Sequence, residues 1–273
     1  MPFARVGELQ LYYEWAGNQD RPVVVLINGL LTDTSSWTPT VAALRDRYRV
    51  LTYDCRGQGR SDKPGPEDSS GYRPWLHAQD LSGLLGLLGV EQAHAIGLSS
   101  GGCVALEVAA QQPDLFRSLT VVSAYARADT ILRLKLQSWV SAMEIGGAPL
   151  RFDVATPYVW GASFLERHFE VLRPFREKAV GISLEPAINL IRGAMEHDVS
   201  DRLGRIAAPV LVVVGEEDIL TPLSYARELV ARLPRAKLQV MPGAGHAALL
   251  EQPEEFIRMG LSFLAEVESL GGW

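Results

Sequence analysis

Ala95-Ile96-Gly97-Leu98-Ser99-Ser100-Gly101-Gly102 decides how this chain is read. It has the form of the end of a short apolar strand, one tight turn, and the start of a helix. Gly97 and Gly101 flank Ser99 at two residues on each side, the pattern G-x-S-x-G. The spacing has a steric cause. A serine at the apex of a sharp strand-to-helix turn holds a strained backbone, and side chains at the flanking positions would collide with the strand or the helix. Its hydroxyl then projects freely, and the N–H of Ser100 points to where an oxyanion would form. The pattern also occurs by chance in loops, so its meaning rests on partners elsewhere in the chain.

On the N-terminal side, residues 2–15 alternate around Gly7 as a β-hairpin would. Val23-Val24-Val25-Leu26-Ile27 is a β-branched run of the kind buried on both faces of a sheet, and it runs into Asn28-Gly29-Leu30-Leu31. A helix is expected near Trp37–Leu44, and a second buried strand over Tyr48–Tyr53. That strand ends in Asp54-Cys55-Arg56-Gly57-Gln58-Gly59-Arg60-Ser61, after which proline and glycine mark a loop through Gly71. Residues 74–89 carry leucines at helical spacing, and 93–98 is the strand that meets the turn.

On the C-terminal side, helix 100–111 stops before Pro113, and strand Leu119–Ser123 follows. From Ala124 to Gly204 no buried strand appears. Leu132, Leu136, Trp139, Val140 and Met143 form one helical stripe, and Pro149, Pro157, Pro174 and Pro186 are expected to break the segment into short helices. The strand-helix rhythm resumes with Pro209–Val214, Leu223–Leu233, Lys237–Met241 and Glu254–Val267, with Pro253 near the start of the last helix. This alternation predicts an α/β fold with a mostly parallel sheet, helices on both faces and one helical insertion. The domain reading is a core of 1–123 and 205–273, with 124–204 as an inserted cap.

Ligand sites on open parallel sheets gather at the carboxyl ends of the strands. There the strands deliver Ser99, then Gly215-Glu216-Glu217-Asp218, then Pro242-Gly243-Ala244-Gly245-His246. Serine, acid and histidine follow in that order, each on a loop just past a strand. The set matches acyl-transfer chemistry: an imidazole takes the serine proton, and a carboxylate fixes its tautomer and stabilises the imidazolium. The phase Gly-x-x-Asp favours Asp218 over Glu216 and Glu217, which read as a solvated face.

With Asn28-Gly29, Asp54–Ser61, Gly97–Gly102, Gly215–Pro222 and Gly245-His246 all in this order, the chain resembles the α/β-hydrolase superfamily over essentially its whole length. The resemblance implies Ser99 as nucleophile, His246 as general base, Asp218 as acid, and the N–H groups of Leu30 and Ser100 as oxyanion hole. It implies no metal and no organic cofactor. One departure stands out: the family usually has His-Gly where this chain has Asn28-Gly29. An asparagine there is similar to the 3-oxoadipate enol-lactonases and to some acyl-transferring members.

The expected activity is cleavage of a small carboxylic ester or lactone through an acyl-serine. Acyl transfer, a cofactor-free peroxidase-like activity and non-catalytic ligand binding are the alternatives on this fold. Asn28, Trp139, Tyr158 and Trp160 are expected to face substrate, and Arg127, Arg133, Arg151 and Arg192 leave room for an anionic one.

Other motifs carry blander readings. His77, His94, His168 and His197 read as helix-surface or strand-flanking residues, and Asp54–Ser61 as a structural turn. Gly57-Gln58-Gly59 is no dinucleotide loop, because Asp62 stands where a third glycine is required. Glu196-His197-Asp198 lacks metal-ligand spacing.

The composition excludes several classes. Among 273 residues, 47% hydrophobic and 21% charged is ordinary for a globular protein, and a net charge of −6 without a Lys/Arg block argues against a nucleic-acid surface. Two cysteines, Cys55 and Cys103, are too few for a disulfide framework, and Cys103 reads as a small buried hydrophobe. Residues 1–5 lack the apolar run of a signal peptide, and no stretch approaches the ~18 apolar residues of a membrane span. The expectation is a cytoplasmic protein that does not act at a membrane, with room for a homodimer through the cap or an edge strand.

Overall fold

The computed structural model describes residues 2–65 and 71–269, so residues 66–70 of the expected loop before Gly71 lie outside the described residues. In chain order the first half comprises β1 (Phe3–Val6), β2 (Leu9–Ala16), β3 (Val23–Ile27), α1 (Thr38–Leu44), β4 (Arg49–Tyr53), α2 (Pro74–Leu87), β5 (Ala93–Leu98), α3 (Ser100–Gln111) and β6 (Phe116–Val122). Four helices follow without a strand: α4 (Thr130–Val159), α5 (Ala162–His168), α6 (Arg173–Ala179) and α7 (Leu184–Ala194). The chain closes with β7 (Val210–Gly215), α8 (Leu223–Arg232), β8 (Ala236–Met241), α9 (Ala248–Glu251) and α10 (Pro253–Ser269).

The strands form one sheet in the order β1-β2-β4-β3-β5-β6-β7-β8. The β1–β2 hairpin and the β2–β4 pair are antiparallel, and every pair from β4 onward is parallel. This is the α/β-hydrolase fold. The register places Ile27 beside Gly97, Leu98 beside Val122, and Val122 beside Val213. The carboxyl ends of β3, β5, β6 and β7 are therefore level, and the loops leaving them converge along one edge.

The apolar runs are continuous because both faces of the central strands are covered. Along β3 the period-two alternation divides them: Val25 and Ile27 join the core under α2, α3 and α8, while Val24 and Leu26 join the core under α1 and α10. Burying each such side chain contributes about 1.5–3 kcal/mol.

Strand β6 begins at Phe116, three residues before the expected Leu119. Arg117 and Ser118 interrupt the apolar pattern there, but the Ser118 hydroxyl is satisfied by buried His94 Nδ1 at 2.8 Å. The prolines cut the helical segment only in part. The break in α4 lies at Gly146 and Gly147, where Gly147 has φ +69°. Pro157 sits inside the last turn of the same helix, while Pro174 and Pro186 lie in the first turns of α6 and α7.

Candidate active site

Ser99 adopts φ 52° and ψ −117° between β5 and α3. This left-handed backbone costs about 1–3 kcal/mol for a non-glycine residue and is held by the packing around it. A Cβ at Gly97 would stand 2.5 Å from the carbonyl of Gly101, and one at Gly101 would stand 2.2 Å from the Ile27 oxygen. Two glycines are therefore what allows the helix to leave the sheet so sharply under the serine.

Nε2 of His246 lies 2.9 Å from Ser99 Oγ, and Nδ1 lies 3.0 Å from Oδ2 of Asp218. The other Asp218 oxygen, Oδ1, accepts from the backbone N–H groups of Leu220 at 2.9 Å and Thr221 at 2.8 Å. Asp218 is buried and His246 nearly so. The carboxylate is thus oriented by its own loop and presents one oxygen to the imidazole.

Two neighbours were not singled out in the sequence. Thr221 Oγ1 stands 3.0 Å from His246 Nδ1, 2.9 Å from Asp218 Oδ2 and 3.0 Å from the Ser123 carbonyl. Ser123, itself at φ +53°, donates from Oγ to the His246 carbonyl at 2.9 Å. The spacing Asp218-x-x-Thr221 is the signal for an Asx-type turn that could have flagged the threonine. For Ser123 nothing short of the β6–β7 neighbourhood would have done so.

The loop after β3 approaches the serine. Thr32 N donates to Gln58 Oε1 at 3.1 Å and Thr34 N to Asp54 Oδ1 at 2.8 Å, so the Asp54–Ser61 turn holds this loop. Among the described residues, the N–H groups of Leu30 and Ser100 donate to no protein acceptor. Asn28 does not face substrate, contrary to expectation. It is 2% exposed, its Nδ2 donates to the Tyr53 carbonyl at 3.0 Å, and its Oδ1 accepts from the Trp37 indole at 2.9 Å. Both ends of the amide are occupied in holding β3, β4 and the following turn together.

A cavity of about 960 Å³ opens over Ser99 and His246, between the strand ends and the helices α4 and α6. Trp139 and Trp160 line it. Tyr158 does not. The lining stripe of α4 runs Phe152, Ala155, Thr156, Val159, and a residue two positions from Thr156 projects to the opposite side, where Tyr158 packs on the main core.

Glu217 is more than a solvated residue: its carboxylate accepts from the N–H and hydroxyl of Ser163 at the start of α5, which holds it below the usual carboxylate range. Glu251 receives the N–H groups of Gly161 at 3.2 Å and Gly245 at 3.0 Å, while burial pushes its carboxyl up. At the cavity rim Lys178 pairs with Asp33 at 2.6 Å; burial opposes ionisation of Asp33, but Lys178 and Ser35 outweigh it and hold the carboxyl low.

The remaining histidines are not surface residues, except His168 on α5. His77, His94 and His197 are buried, and burial pulls them down to about 3, 4 and 4, so they are neutral at pH 7. For His197 this holds although Glu107 lies 3.6 Å away, because that carboxylate is already paired with Arg202 at 2.7 Å. Among the described residues, no group of three or more His, Cys, Asp or Glu could hold a metal ion, and no helix is long and apolar enough to cross a membrane.

Comparison with known proteins agrees with this fold. The family model described as alpha/beta hydrolase fold matches residues 22–253. A Caulobacter sp. (strain K31) protein named as a carbamate hydrolase, RutD, is 31% identical over 261 residues, covering 93% of this chain and 96% of its own. An alpha/beta hydrolase enzyme, MGS-M2, from a Medee basin deep-sea metagenome library superposes with a TM-score of 0.91 at 29% identity, over 96% of this chain and 97% of that one. The enol-lactonase from Burkholderia xenovorans LB400 superposes with a TM-score of 0.89 at 28% identity, over 97% of this chain and 100% of that one.

Proposed function

The chain belongs to the α/β-hydrolase fold family, and from that premise we propose that it is a serine hydrolase cleaving a carboxylic ester or lactone through an acyl-serine intermediate. The single observation that carries the reading is the chain of contacts Ser99 Oγ, His246 Nε2, His246 Nδ1, Asp218 Oδ2, each step at 2.9–3.0 Å. An enol-lactonase among the similar structures supports the ester and lactone class.

In this mechanism Ser99 Oγ attacks the carbonyl carbon while its proton passes to His246 Nε2. The charge that develops on the carbonyl oxygen is received by the free N–H groups of Leu30 and Ser100. One such donor contributes on the order of 3 kcal/mol to lowering the barrier. Collapse breaks the C–O bond, and the imidazolium returns its proton to the leaving alkoxide. A water deprotonated by His246 then attacks the acyl-serine, and the second collapse releases the acid and restores the serine. Asp218 and Thr221 keep the imidazole in the tautomer with hydrogen on Nδ1 throughout. Residues 1–123 and 205–273 serve as the catalytic core and 124–204 as a cap that excludes bulk water.

A second reading takes a carbamate as the substrate, favoured by the carbamate-hydrolase relative. It uses the same serine and gives a carbamoyl-serine instead. Steady-state hydrolysis of a short- and medium-chain p-nitrophenyl ester series, wild type beside Ser99→Ala, tests the mechanism. Turnover by wild type with a loss of several orders of magnitude in the variant is expected. Equal rates would sink the Ser99 mechanism. A parallel series of p-nitrophenyl carbamates separates the two substrate classes.

A further inference from the structure

Four cationic side chains line the cavity: Arg60, Lys63, Arg151 and Lys178. Three have partners. Arg60 pairs with Glu14 at 2.9 Å, Lys63 donates to the Gly59 and Ser61 carbonyls, and Lys178 pairs with Asp33. Arg151 differs. It is only 8% exposed, it forms no ion pair, and among the described residues its guanidinium meets no protein acceptor. Burial alone, with no nearby carboxylate to oppose it, pulls its ordinarily very high pKa down to about 10, so it remains charged.

The other cap arginines flagged in the sequence are not in this position. Arg127 is exposed, Arg133 donates to the Met195 carbonyl at 3.0 Å, and Arg192 pairs with Glu144 at 3.0 Å. A second buried donor stands beside Arg151. The Trp139 indole is 4% exposed, its Nε1–H has no acceptor among the described residues, and its ring centre lies 6.0 Å from the Arg151 guanidinium carbon. That separation is the outer limit of a cation–π contact, which leaves all five guanidinium donors to be satisfied otherwise.

A buried charge without a partner costs several kcal/mol, so chains keep one where a ligand completes it. Among the described residues, the cavity lining therefore holds two donor groups with no acceptor, together with the apolar Leu132, Leu136, Phe152 and Phe175. A dianionic phosphate would need a second free cation, and the other three are engaged. A carboxylate needs one charge and matches the planar fork of the guanidinium.

We propose that Arg151, with the Trp139 indole N–H beside it, is the counter-ion for a carboxylate that the substrate carries away from its scissile carbonyl. The substrate class is then a carboxylate-bearing ester or lactone rather than a neutral one. Arg151 follows the Gly146–Gly147 break within α4. This inference rests on the hydrolase reading for the identity of the reacting end, but its test does not require turnover.

Binding is measured by calorimetry to Ser99→Ala, with three esters: monomethyl adipate (carboxylate on the acyl side), 4-acetoxybutyrate (carboxylate on the alcohol side) and neutral dimethyl adipate. At least one of the two carboxylate esters is expected to bind 10-fold or more tightly than the diester, and which one does so tells the side. Adding Arg151→Leu is expected to abolish that advantage, and Arg151→Lys to retain part of it. Since the native charge is uncompensated without ligand, Arg151→Leu is expected to melt no lower than its parent, whereas an arginine kept for structure would lower the melting temperature. Should Arg151→Leu not fold, the Arg151→Lys and Arg151→Gln variants carry the comparison. No advantage for either carboxylate ester, or an advantage that survives loss of the guanidinium, overturns the proposal. If Ser99→Ala instead hydrolyses p-nitrophenyl esters as fast as wild type, the acyl-serine reading fails while the binding result still decides Arg151.

Discussion

The Thr221 hydroxyl stands 3.0 Å from Nδ1 of His246, as near as the Asp218 carboxylate, and also 2.9 Å from that carboxylate. Nδ1 thus faces a pair of oxygens that are themselves joined. In the proposed mechanism the threonine is a positioning residue. Thr221→Val is expected to lower kcat by roughly 10–100-fold, the worth of one hydrogen bond to a charged group, with KM little changed. Thr221→Ser keeps the oxygen and should restore most of the rate. A loss shared equally by the serine variant would mean that the methyl group, not the hydroxyl, matters there.

In the proposed mechanism Ser99 and His246 act on one proton, so their losses should not add. Each of Ser99→Ala and His246→Ala is expected to reduce kcat by roughly 10⁴–10⁶-fold, and the double variant by no more than the worse single one. Steady-state kinetics on a p-nitrophenyl ester decide this, and a double loss equal to the product of the singles would refute the shared step.

Gly101 has no room for a methyl group, since its Cβ would lie 2.2 Å from the backbone oxygen of Ile27. That oxygen belongs to β3 and cannot swing away as a side chain could. Gly101→Ala is expected to cost about 3 kcal/mol or more in denaturant unfolding, or to prevent folding, because α3 must back away from the sheet. A midpoint equal to that of wild type would contradict the packing described.

The buried histidines make stability depend on acid. Folded His94 titrates near 4, held down first by burial and then by Arg117, whereas the unfolded side chain titrates near 6.5. Its folded value is depressed, so the unfolded chain binds the proton first. The contribution is intact above pH 6.5 and is lost as pH falls toward 4, on the order of 2 kcal/mol by pH 5. His197 near 4 and His77 near 3, both lowered mainly by burial, act in the same direction. Urea midpoints from pH 7.5 to 4.5 should fall steadily, and His197→Phe, which keeps a ring edge-on to Tyr125, should flatten the slope. A slope unchanged by that variant would remove His197 from the account.

Much of this molecule follows from local rules. Uninterrupted runs such as Val23–Ile27 and Val210–Val214 require a sheet covered on both faces, and the structure pairs them in parallel. The limits of β5 and α3 were legible to the residue, because Gly97 and Gly101 mark a turn that no other residue can make. Ser99, Asp218 and His246 could be named because each follows a strand, and strand ends are where a parallel sheet assembles a site.

What a side chain does once it arrives was decided by packing. Asn28 lies two residues before Leu30 in sequence, yet its amide is consumed by Tyr53 and Trp37. Tyr158 and Trp160 are two residues apart near the end of α4, and the helical period with the turn after Val159 sends only the tryptophan into the cavity. Thr221 and Ser123 reach His246 only when β6, β7 and β8 lie side by side. Arg151 was one arginine among several in the sequence, and only the fold leaves it buried without a partner among the described residues. Sequence alone determined the strands, the turn and the order of the candidate residues, since those depend on the nearest neighbours along the chain. Burial, and with it the meaning of each polar group in the cavity, depends on contacts between residues far apart in sequence, and only the tertiary structure decides those.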